Sequence, residues 1–213
     1  MIAAPTTLPP STRALLYVSF ATSGFAALLY QIVWQRSLYA IYGINIESVT
    51  VVVTAFMLGL GLGSLAGGAV SRDPRRPALL LFAIVELGIA AFGLVSLPLF
   101  GAVGRLTLHM PPLGTALVTF LLVLLPTLFM GGTLPLLVGH MVRASRNVGK
   151  SVGTLYFVNT LGSAFAALAA SLWLMGALGQ ARTVRLAVSL NVLVSVGAYV
   201  LHRRARAQTE VAR

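Results

Sequence analysis

The chain has 213 residues, of which 58% are apolar and 9% charged; a soluble domain carries about 25% charged residues, so water is excluded as the main solvent. Its net charge of +11 sets 15 Lys and Arg against four acids, Glu47, Asp73, Glu86 and Glu210, and the basic residues fall between long apolar runs, which points to lipid headgroups rather than nucleic acid. Cysteine is absent, which excludes disulfides, thiol chemistry and cysteine-based metal sites.

A hydrocarbon core about 30 Å thick takes about 20 apolar helical residues to cross. Six segments have that length, near 14–35, 48–70, 77–100, 114–139, 151–176 and 183–201. The expected fold is therefore all-α, a polytopic bundle of six transmembrane helices over residues 13–202, with a Pro-rich disordered arm at 1–12 and a basic tail at 203–213. The first apolar run lacks a basic region before it and ends in Trp34-Gln35-Arg36 rather than a small-residue cleavage site, so it reads as a retained helix.

The first helix closes with Tyr30, Gln31, Trp34, Gln35 and Arg36. An interfacial aromatic belt explains such a cluster; so does a polar pocket, because Gln31 and Gln35 lie four apart on one helix face. In the second helix Gly59, Gly63 and Gly67 recur every four residues. That groove lets another backbone approach closely, on a neighbouring helix of the same chain or on a second copy.

Glu86 sits near the middle of the third helix and is the single acid within a span. A charge there costs about 2.5–3.5 kcal/mol even on lenient insertion scales, so its carboxyl should be protonated, paired or set against a wet cavity. It is the leading candidate for binding a cation or proton, with partners sought among Gln31, Gln35, Arg36, Tyr156 and Asn159. The fourth helix carries Pro126, Gly131, Gly132 and Pro135, which predicts an interruption, serving either as a packing kink or as a gating or substrate site. In the fifth, Tyr156, Asn159 and Ser163 fall roughly on one face, as interhelical glue or as ligand donors and acceptors.

Placing both termini in the cytoplasm puts 11 Lys and Arg inside and 4 outside, which the positive-inside rule favours and which requires an even helix count. Three-helix repeats are hinted at by Leu62-Gly63-Ser64 and Leu161-Gly162-Ser163 in the second and fifth helices. There is no phosphate-binding glycine loop, no His-Glu-x-x-His, no nucleophile elbow and no carboxylate pair. His109, His140 and His202 are expected in separate loops. Neither an enzyme, nor a cofactor, nor a metal site is expected.

Four blocks, Ser23–Arg36, Ala55–Ser64, Leu125–Pro135 and Leu155–Gly162, together resemble the membrane domain of the bacterial fused major-facilitator/spermidine synthase-like proteins. The loop Gly67–Arg76 also looks like the signature loop between the second and third helices of major-facilitator transporters, although Arg72 precedes Asp73 and Pro74 intervenes. The resemblance implies half of a major-facilitator fold in a bacterial inner membrane. It also implies that the aminopropyltransferase-like domain of such proteins would begin where this sequence ends, so aminopropyl transfer is not expected of these residues. Two roles follow. One is a non-catalytic membrane protein that binds or moves a small amine or cation, alone or as a homodimer. The other is an anchor for a separately encoded, soluble synthase-like enzyme.

Overall fold

The computed structural model describes residues 8–43 and 46–211. They form six long helices: α1 (Pro10–Tyr42), α2 (Ile46–Ser71), α3 (Ala78–Thr107), α4 (Pro112–Ser145), α5 (Val148–Ala177) and α6 (Gly179–Val211). All six are long and apolar enough to cross a membrane, and no strand occurs among the described residues. Every helix outruns its apolar segment, because polar residues at the ends keep helical hydrogen bonding beyond the apolar core. α1 starts at Pro10, where a missing N–H costs nothing. Of the arm expected at 1–12, residues 1–7 lie outside the described residues. The basic stretch expected as a tail continues α6 to Val211.

The outer surface is apolar: Leu65, Leu113, Phe157, Phe165, Leu172 and Trp173 are all exposed. In water this would be one large sticky patch, whereas lipid tails solvate it. Trp34, by contrast, is fully buried. Its ring stacks on Tyr30 at 4.9 Å between centroids and meets Phe92, Phe56 and Phe100, while its indole N–H donates to Ser96 Oγ at 2.9 Å. Tyr30 and Trp34 thus form an aromatic core and not an interfacial belt. The chain has two tryptophans, which gives a direct test of this arrangement. Brominated acyl chains should quench most of the fluorescence that remains in Trp34→Phe, which reports Trp173, and little of that in Trp173→Phe. Equal quenching in both variants would contradict the buried position of Trp34.

α2 packs chiefly on α4, α5 on α1, and α3 on α6, with further contacts between α1 and α6 and between α3 and α4. Exchanging α1–α3 with α4–α6 converts this set of pairings into itself, as a duplicated three-helix unit requires. The two Leu-Gly-Ser segments occupy corresponding contacts. A Cβ on Gly63 would come 2.1 Å from Leu128 O of α4, and one on Gly162 would come 2.0 Å from Ala21 O of α1.

The interruption expected in α4 at Pro126, Gly131, Gly132 and Pro135 is absent; the helix runs unbroken through all four. Thr127 Oγ1 lies within hydrogen-bond reach of Val123 O, Leu124 O and Ala55 O, and Thr133 Oγ1 donates to Met130 O, whereas the carbonyls left without a backbone donor by Pro126 and Pro135 are those of Leu122 and Gly131. Gly131 and Gly132 instead serve close packing against α2: a Cβ on Gly131 would lie 2.3 Å from Leu60 O, and one on Gly67 would lie 2.7 Å from Gly132 O. The irregular helix is α5, which widens to a π-turn at Ala170–Leu174 before Gly179, at φ 68°, starts α6.

Candidate functional site

Glu86 is fully buried at the junction of α1, α3 and α6. Ser23 Oγ of α1 donates to one carboxyl oxygen at 2.5 Å, and Asn191 Nδ2 of α6 donates to the other. One turn away, Ser195 Oγ of α6 donates to Ala83 O of α3 at 2.7 Å, so the α3/α6 seam is held by one polar contact at the carboxyl and another a turn from it. Both hydrogen-bond partners of Glu86 are neutral. Two polar atoms nearby, Asn191 Oδ1 and the Tyr30 hydroxyl, have no hydrogen-bond partner among the described residues.

Beside the carboxyl lies a cavity of about 140 Å³ to which all six helices contribute. Its polar wall consists of Ser23 and Gln31 from α1, Thr133 from α4, Asn159 and Ser163 from α5, and Asn191 from α6. The apolar wall includes Phe56 and Leu60 of α2 and Ile89 of α3. Glu86 does not itself line the space; it reaches it through Ser23 and Asn191, which belong to both. A volume of this size accommodates several waters, a small ammonium ion or the end of an amine, and is smaller than the roughly 300–1,000 Å³ of sites for larger organic ligands.

Asn159 and Ser163 also tie α5 to α1, donating to Phe20 O at 3.1 Å and to Gly24 O at 3.0 Å. The approach is close because a Cβ on Gly24 would fall 2.4 Å from Asn159 O.

Of the sequence candidates, the structure gathers Gln31 and Asn159 around the cavity next to Glu86, although neither is hydrogen bonded to it. Gln35 is elsewhere. One helical turn further on, about 6 Å along the axis, it donates to the Tyr39 hydroxyl and lines a separate surface cavity with Arg36 and Gln180. Tyr156 is 63% exposed. The buried seam of α5 runs through Ser151, Leu155, Gly162 and Ala166; at the edge of that seam the short Ser163 stays inside while the long Tyr156 ring turns outward. Neither Gln35, Arg36 nor Tyr156 is a partner of Glu86. The residues missed were Ser23 and Asn191, although an asparagine in the middle of the apolar sixth helix was itself a readable signal.

The chain is similar to a polyamine aminopropyltransferase. The likeness is to the protein of that name from Corynebacterium efficiens, 29% identical over 211 residues, and takes in 96% of this chain but 39% of that protein. The chain therefore spans less than half the length of that relative. No protein-family model matches it, and no solved structure does.

Proposed function

We propose that the chain is a non-catalytic inner-membrane protein whose central cavity binds a small amine or inorganic cation, with Glu86 as counter-charge, and that it passes this cation across the bilayer. The observation that carries this reading is the coincidence of a buried carboxyl, held by neutral donors alone, with a polar cavity walled by every helix. A carboxyl at that depth is neutralised by a proton or by a cation, so the site can exchange one for the other. The name of the Corynebacterium relative favours an amine, and the small volume favours a primary ammonium end over the whole of a long polyamine. Both termini are cytoplasmic in this reading, since the loops at 72–77 and 146–147, the start of α1 and the end of α6 carry most of the arginines. Half of a major-facilitator fold is the corresponding architecture, and a homodimer would complete it.

Thermal unfolding of the purified protein, titrated with putrescine, spermidine, Na⁺ and K⁺, tests the proposal. Ligand at 100 times Kd stabilises by about 2.7 kcal/mol. An amine or cation should raise Tm in the wild type and leave Glu86→Gln, which keeps the shape but not the charge, unmoved. No shift with any of the four would exclude the binding role. It would put forward the second reading, an anchor for a separately encoded, soluble synthase-like enzyme, which is favoured by the concentration of arginines at one end and by the relative's name. That role predicts recruitment of such an enzyme to proteoliposomes whether or not Glu86 is present.

A further inference from the structure

A second cavity, of about 500 Å³, opens at the arginine-rich end of the bundle and shares no lining residue with the one beside Glu86. Its walls carry Arg76 from the α2–α3 loop, His140 and Arg143 from α4, and His202 and Arg206 from α6; no carboxylate lines it. Asp73, the nearest acid in sequence, lies outside the lining and meets Arg76 Nε at 3.7 Å. Among the described residues, His140 Nε2 is a buried nitrogen without a hydrogen-bond partner. The first turn of α3, at Ala78 and Leu79, forms the inner wall, and its N-cap, Pro77, offers no side-chain cap.

His140 and His202, expected in separate loops, are thus on α4 and α6, facing one space. Two imidazoles are too few to suggest a metal, and no group of three or more potential ligands occurs among the described residues. Three guanidiniums, two imidazoles and the positive end of a 30-residue helix converge instead on chemistry of the opposite sign.

We propose that this cavity binds a phosphate-bearing anion, drawn either from the headgroup of an anionic phospholipid or from a soluble phosphate compound. The volume is in the range of small-molecule sites, and guanidinium forks match phosphate oxygens in pairs. Basic pockets between transmembrane helices on the positive side of a membrane protein take headgroups of this kind. Bound there, the anion would bridge the α2–α3 loop, α4 and α6.

Native mass spectrometry of the intact protein with short-chain phosphatidylglycerol or phosphatidylcholine, alongside thermal shift with inorganic pyrophosphate, provides the test. Wild type and Arg203→Gln, which removes an arginine at the same end but outside the lining, should bind one phosphatidylglycerol or one pyrophosphate alike. Arg76→Gln and Arg206→Gln should each weaken that binding about tenfold, the loss of one charged hydrogen bond. Retention of phosphatidylglycerol alone identifies the lipid as the source, and a response to pyrophosphate alone identifies the soluble compound. Binding that falls equally in Arg203→Gln, that does not distinguish phosphatidylglycerol from phosphatidylcholine, or that is absent for both anions would overturn the proposal.

Discussion

Gly63→Ala should destabilise the bundle by about 1–3 kcal/mol, the range for overfilling a packed interior, while Gly68→Ala on the same helix should be neutral or stabilising by up to about 1 kcal/mol. At Gly63 the added methyl would stand 2.1 Å from Leu128 O and 3.1 Å from Gly131 Cα, and both of these are backbone. No rotamer change relieves such an overlap, so α2 and α4 must separate. At Gly68 nothing lies within 4 Å. Alanine is the better helix former by about 0.8–1.0 kcal/mol, a gain available equally at both sites, so the difference between the two variants isolates the contact. At this chain length each kcal/mol corresponds to roughly 2–4 °C in Tm. Gly131→Ala, which would press on Leu60 O from the opposite side at 2.3 Å, should behave like Gly63→Ala. A Gly63→Ala protein as stable as Gly68→Ala would mean that the α2/α4 contact is looser than described. The cavity walls contributed by Leu60, Met130 and Thr133 would then be looser as well.

Segment length and apolarity carried the six helices, because crossing hydrocarbon leaves few alternatives to an unbroken apolar helix. Rotation about each helix axis was not encoded in the same way. A helix in water declares its buried face by its apolar stripe, but in lipid both faces are apolar, and Tyr156 and Leu155 look equally suited to the interior. Only one of them is there. Glu86 was legible because a lone acid in a span is too costly to leave facing hydrocarbon and must turn inward. Asn191 stands out in its apolar helix, but its pairing with Glu86 does not, and Ser23 is an ordinary residue for a membrane helix whose position opposite Asn191 depends on how α1, α3 and α6 turn toward one another. The α4 prolines point to a break for a related reason: the sequence displays the missing N–H groups, whereas the close packing of α4 on α2 at Gly131 and Gly132 exists only in the folded bundle.

The hydrogen bonds around Glu86 should be strongly non-additive. Glu86→Leu removes two acceptors at once, and the donors left behind fare differently. Ser23 Oγ can turn back to a carbonyl of its own helix, as serines in helices do. Asn191 has no such recourse: its Nδ2 would lose its acceptor while its Oδ1 already lacks a donor among the described residues. An unpaired buried amide costs about 1–3 kcal/mol, and replacing both members of a pair by apolar groups removes that cost. Thermal unfolding in detergent should therefore show Glu86→Leu in an Asn191→Leu background as less damaging than in wild type, by the roughly 0.6–1.7 kcal/mol seen for hydrogen-bonded pairs in membrane proteins. The Glu86–Ser23 coupling should be smaller. Glu86→Gln keeps one acceptor oxygen and replaces the other with an amide N–H that Asn191 Oδ1 can accept once the asparagine amide turns over, so it should unfold close to wild type while losing its response to amines, which separates the structural part of the carboxyl from the charge. Strictly additive Glu86 and Asn191 effects would mean that the pair contributes nothing jointly to the fold. A Glu86→Gln protein that unfolds as readily as Glu86→Leu would mean that the negative charge itself, not its hydrogen-bonding shape, holds α1, α3 and α6 together.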